Sequence, residues 1–161
     1  MPGVTLLFAE VRVTATSETV LLLREAYGAR YLAAWITASG GNAILSGVGG
    51  GGAADPQSTH DLMVEALSVV DAVVESVEIV ACEDGIFLTE LMVNGNAVPC
   101  RISDGVALAL RSGAPIHASR QVMDDVSIAL TPEGVREEDP DRQVEEFREF
   151  LDQINADDFE P

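Results

Sequence analysis

The chain has 161 residues, 47% apolar and 22% charged, the composition of one folded domain rather than of a disordered or disulfide-stapled chain. Its 27 acids face nine bases, all arginine, for a net charge of −18, half of it on residues 131–161. Such a balance excludes tight binding of long phosphate backbones by electrostatics alone. No apolar run is long enough to span a bilayer, and no basic segment precedes the opening apolar stretch, so the expected location is the cytoplasm, with no membrane partner.

In chain order, Val4, Leu6 and Phe8, then Val11 and Val13, alternate as a strand with one change of phase. Residues 19–24 and 30–37 read as a hairpin around the turn signal Tyr27-Gly28. Residues 39–48 have helical spacing weakened by three glycines, and Gly49–Gly52 opens a loop without the Lys-Ser/Thr ending of a phosphate-binding loop. Ser58 as N-cap with Asp61 three residues on starts the clearest helix, whose apolar stripe is Leu62, Met63, Ala66, Leu67 and Val70. Strands are expected over 72–82, 86–93 and 97–102, joined by the turns Glu83-Asp84-Gly85 and Asn94-Gly95. Ser103 is expected to cap a helix that buries Val106, Ala107 and Leu110, followed by a short strand at 115–118 and a helical turn at 121–126. Residues 131–140 are a charged linker, and 142–154 carry Val144, Phe147, Phe150, Leu151 and Ile154 on one helical face.

Strands in meanders rather than strand–helix–strand units give an α+β fold: antiparallel or mixed curved sheets built from two three-stranded meanders with helices packed on them. The division is a domain over 1–130 and an acidic linker with a C-terminal helix over 131–161. No dinucleotide fingerprint, zinc spacing or nucleophile elbow is present, and no organic cofactor is expected. Cys82 and Cys100 lie in strands and read as inert thiols.

Two clusters are able to carry chemistry. Thr59-His60-Asp61 opens one helix and Arg101-Ile102-Ser103-Asp104 another. Unpaired N–H groups and the helix dipole favour ionised carboxylates there. Each cluster also reads as ordinary capping, with an Arg101–Asp104 pair and a surface His60. His117, at a strand end, reads as structural.

The ordered set Val20–Glu25, Tyr31–Ile36, Ser58–Leu62, Asp84–Phe87, Arg101–Arg111 and Pro115-Ile116 resembles the bifunctional nuclease domain family. The resemblance implies an α+β fold, a homodimer and nuclease activity on DNA and RNA. The family's Thr-His-Asp-Leu stretch falls on Thr59–Leu62, and its Arg-Pro-Ser-Asp stretch on Arg101–Asp104 with Ile102 in place of the proline. Two departures stand beside these stretches. A glutamate of the family is Gly40 here, and an Arg-Pro is Pro56-Gln57. The loss of a hard oxygen ligand and of a phosphate-binding arginine points to weakened or altered activity.

The expectation is a metal-assisted phosphodiesterase in which Asp61 and Asp104 hold Mg²⁺ or Mn²⁺. His60, Asp61 and Asp104 are its catalytic residues, with His60 serving the water as base, and Arg101 and Ser103 bind substrate. The alternative is a non-catalytic homodimeric interaction module. A third reading is a small-ligand pocket near Trp35 and the glycine loop.

Overall fold

The computed structural model describes residues 3–48 and 58–129; the glycine run, the charged linker and the 142–154 segment lie outside them. Strands β1 (Val4–Val13), β2 (Thr19–Glu25) and β3 (Arg30–Ile36) form the first meander. Its first strand shifts register between Phe8 and Glu10, the bulge that the broken alternation of apolar residues demands. Helices α1 (Ala38–Gly47) and α2 (Thr59–Val69) follow, then the second meander β4 (Val74–Glu83), β5 (Ile86–Val93) and β6 (Asn96–Cys100). Helix α3 (Ile102–Ser112), strand β7 (Ile116–Ala118), helix α4 (Arg120–Val126) and strand β8 (Ile128–Ala129) complete the order.

The two meanders do not form separate sheets. They merge into one eight-stranded mixed sheet of order β6-β5-β4-β7-β1-β2-β3-β8. Strand β7 makes the join, antiparallel to β1 and parallel to β4. Three residues suffice because Ile116 and Ala118 are buried in the core while His117 points to the opposite face, beside Glu78. The remaining sequence boundaries hold within two residues, with β4 starting at Val74 and β6 ending at Cys100.

The core lies between one face of the sheet and α3, with Ile44 of α1 and Val122 and Met123 of α4 completing it. Leu6, Leu21, Leu23, Leu32, Val77 and Ile79 supply the sheet side. Helix α3 is buried on nearly all sides, with Val106, Ala107, Leu108 and Ala109 all enclosed, a wider burial than the expected stripe. Burial this extensive contributes about 25 cal/mol per Å² of apolar surface and fixes where the ends of α3 lie.

Two features depart from expectation. Arg101, not Ser103, is the N-cap of α3, and no side chain caps it; Ser103 falls inside the first turn, held there by close packing against α1. Helix α2 has its capping box as expected, but none of its residues is fully buried, and Leu62, Met63, Val69 and Val70 stand exposed. Half-buried Val64 against the core and the polar links described below fix α2 to the body.

Strand β6 is an edge. Asn94 and Gly95, both at positive φ, make the two-residue turn from β5. The pair Val93–Asn96 flanks that turn, and alternation along the ladder puts the Glu90–Pro99 pair out of hydrogen-bonding phase. The nitrogen of Pro99 therefore faces outward, where an ordinary residue would offer an N–H to another strand.

Candidate functional site

The first turn of α2 lies against α3, and the two clusters meet there. His60 Nε2 is 2.9 Å from Asp104 Oδ1. Arg101 donates from Nε to Asp104 Oδ2 at 2.7 Å and from Nη2 to Oδ1 at 3.2 Å. Burial alone would raise the Asp104 carboxyl, but the hydrogen bonds from Arg101 and His60 outweigh it and hold the group below the usual aspartate range. Asp104 is therefore an ionised acceptor, and His60 must carry its proton on Nε2 to donate to it. In the neutral imidazole this tautomer leaves Nδ1 as a lone pair, without a partner among the described residues.

Asp61 turns elsewhere. Its Oδ2 closes the capping box, accepting from the Ser58 backbone N–H at 3.1 Å and from Ser58 Oγ at 2.8 Å. Its Oδ1 accepts from Arg111 Nε at 2.7 Å. The Arg111 hydrogen bond is the main cause that lowers the Asp61 carboxyl, with Ser58 adding to it. The Arg111 side chain is only 4% exposed, yet all its guanidinium N–H groups are matched. Nη1 donates to the carbonyls of Ala43 in α1 and Ala107 in α3, at 2.8 and 2.9 Å, and Nη2 reaches Ser46 Oγ and Ser58 Oγ, at 3.3 and 3.4 Å. One cation thus ties three helices together.

The two acids expected to share an ion are consequently engaged apart. Each accepts three hydrogen bonds, Asp61 from Arg111 and Ser58, Asp104 from His60 and Arg101. Among the described residues no group of three or more His, Cys, Asp or Glu is placed to hold a metal. Mg²⁺ and Mn²⁺ are commonly held by one or two carboxylates and waters, and here every oxygen of both carboxylates already accepts from a neighbouring donor, so this arrangement does not fit a shared ion.

Arg101 stands between two cavities. On one side a groove of about 630 Å³ is lined by His60, Met63, Val98, Pro99, Arg101 and Asp104. On the other, a cavity of about 450 Å³ takes in Trp35, Thr37, Phe87, Arg101 and Ser103. Ser103 thus lies beyond Arg101 from His60 and belongs to the second cavity. Cys100, beside the groove, has its thiol pushed up to about 11 by burial, with Asp104 and Glu90 adding to it, as expected of an inert thiol. His117 is likewise paired within the sheet, its Nδ1 2.9 Å from Glu78 Oε1.

Arg111 is the residue that reasoning from sequence missed. It closes the Arg101–Arg111 stretch, and in the sequence only its place in the last turn of an expected helix hints at a role.

The profile of the bifunctional nuclease domain matches residues 21–131, a span holding both helix starts and Arg111. The chain belongs to the bifunctional nuclease domain family. Two uncharacterized proteins of Mycobacterium tuberculosis, one from each of two strains, are 37% identical to it over 151 residues, which covers 89% of this chain and 89% of each relative. Within this bifunctional nuclease domain, Gly40 stands where the resemblance leads one to expect a glutamate. A Cβ there would lie 2.9 Å from both Cβ and Oγ of Ser103. The first turns of α1 and α3 have closed on each other, so the glutamate's place is now backbone against side chain. Gly40→Glu is expected to lower the melting temperature, with a loss of about 1–3 kcal/mol from overpacking.

Two further outcomes follow from the Arg111 links. Arg111→Met removes a buried charge, takes the donor from Asp61 Oδ1 and takes one donor each from the Ala43 and Ala107 carbonyls. The expected cost is on the order of 3 kcal/mol, a fall in melting temperature of roughly 10 °C by calorimetry. Both aspartate carboxyls are held below their ordinary value, so their contribution to stability is complete above about pH 3.9 and is lost as pH falls below it. Asp61→Asn should therefore melt lower than the parent at neutral pH and lose less between about pH 4 and pH 2, as read by circular dichroism.

Proposed function

We propose that this chain cleaves phosphodiester bonds, RNA in preference to DNA, through His60 oriented by Asp104, with Arg101 at the phosphate. The single observation that carries the reading is the His60 Nε2–Asp104 Oδ1 contact of 2.9 Å, which fixes the tautomer of a histidine lining an open groove. In that tautomer Nδ1 accepts a proton. In RNA the 2′-hydroxyl supplies an internal nucleophile. Its proton passes to Nδ1, its oxygen bonds to phosphorus, and the 5′-oxygen leaves and takes a proton from solvent. Arg101 keeps Nη1 free of partners among the described residues while its other nitrogens grip Asp104. It is thus anchored yet able to meet charge developing on the phosphate. DNA lacks the internal nucleophile, so its cleavage by this route requires an activated water.

This route uses no ion, since the Asp61 and Asp104 oxygens are already engaged. Cleavage of a single-stranded RNA oligonucleotide by the full chain is expected to persist in EDTA. It should fall by about 10²–10⁴ in His60→Ala, and by a comparable factor in Asp104→Asn, which loses the carboxylate that sets the tautomer. Cleavage unchanged in His60→Ala, or abolished by EDTA, would overturn the reading.

The second reading, a homodimeric interaction module, is favoured by one observation: α2 and its C-terminal flank expose Leu62, Met63, Val69, Val70 and Val73. A run of exposed apolar side chains on one flank is a hallmark of an association surface. If it operates, Leu62→Glu shifts a dimer to monomer in sedimentation while the fold is retained.

A further inference from the structure

The cavity on the far side of Arg101 is built differently from the groove that holds His60. Two helices begin in its wall. Thr37 caps α1 and Ala38 opens it; Arg101, Ile102 and Ser103 form the start of α3. The two first turns approach because Gly40 has no side chain to hold Ser103 away. Thr37 Oγ1 satisfies only the Gly40 N–H at 3.0 Å, and α3 has no side-chain cap at all. Their remaining first-turn donors and the positive ends of both dipoles therefore converge on one wall.

A second, independent observation marks that wall as a binding surface. Ser103 is 4% exposed, lines the cavity, and its hydroxyl has no hydrogen-bond partner among the described residues. The fully buried hydroxyl without a partner among the described residues is that of Thr89; the Ser103 hydroxyl keeps access to the cavity, from which its partner has to come. Arg101 adds the free Nη1 noted above. The opposite side is apolar and aromatic: Trp35 is 53% exposed, with Ile86 and Phe87 nearby. The indole edge is set by Nε1 donating to Glu18 Oε2 at 3.4 Å, and Glu18 is the cavity's one carboxylate.

We infer that this cavity binds a phosphorylated nucleoside, its phosphate on the paired starts of α1 and α3 with Ser103 and Arg101, and its base stacked on Trp35. The volume of about 450 Å³ lies in the range of small-ligand pockets. Charge favours a small occupant. A net charge of −18 repels a long backbone increasingly with each phosphate added, whereas a mononucleotide brings one or two charges to a locally positive wall. Stacking on a tryptophan face suits any base. The inference goes beyond the cleavage reading and stands whether or not His60 cleaves.

Trp35 is the chain's only tryptophan, so its emission reports on the cavity directly. The full chain is titrated with AMP, with adenosine, with inorganic phosphate and with a 5′-phosphorylated dinucleotide. A saturable change is expected with AMP, about tenfold weaker with adenosine, and competed by inorganic phosphate. The dinucleotide arm tells a free nucleotide from the end of a strand. Equal affinity for it means that the pocket holds a strand's terminal residue; weaker affinity means a mononucleotide site; both uphold the inference. Ser103→Ala should weaken AMP by about tenfold at an unchanged melting temperature. No saturable signal with AMP up to about 10 mM, equal affinity for AMP and adenosine, or unaltered AMP affinity in Ser103→Ala would each overturn it. The titrations are run on the parent and on His60→Ala, so that failure to cleave and failure to bind are read separately.

Discussion

The guanidinium of Arg111 is the constraint on which the helical layer depends. A buried cation is tolerated only when every donor is matched, and here the matches come from α1, α2 and α3 at once. The carbonyl of Ala43 and the hydroxyl of Ser46 bring in α1; Asp61 and Ser58 bring in the start of α2. No residue of helix α2 is fully buried, so this polar grip, with His60 on Asp104, joins half-buried Val64 in setting its angle against the core. The position of His60 is therefore a consequence of a charge placed two turns further along α3.

The same grip explains the chemistry left open to the site. Asp61 serves as cap and counter-ion, so one of the two acids at the helix starts is taken up by structure. Asp104 remains, and its neighbours turn it into an orienting group for an imidazole. In a chain so rich in carboxylates, the site places an arginine and a histidine around its aspartate, which makes it locally far less negative than the whole. Ile102 lines the neighbouring cavity, and Gly40, without a side chain, lets the starts of α1 and α3 pack closely beside it.

Much of the fold was legible because the strands and turns announce themselves locally. The phase change in β1, the Asn94-Gly95 hairpin and the Ser58–Asp61 capping box are each written within a few residues. The single sheet was not legible, since the join at β7 depends on three residues pairing with strands some 40 and 110 positions away. The meeting of His60 with Asp104 was within reach as a pairing of helix starts. The separation of Asp61 was not, because an aspartate that suits a capping box equally suits a metal. Only the reach of Arg111 across the helices decides between them. Ser103 was read as a cap for a similar reason: its residue type fits, and the packing of Gly40 that moved the helix start has no local signature.

Pro99 closes one route by which such a sheet might grow. Without an outward N–H at that point, the exposed margin of β6 cannot complete a ladder with a second molecule. Strand addition along β6 is thereby interrupted by one imino acid, and the short β8 is left as the sheet's other margin.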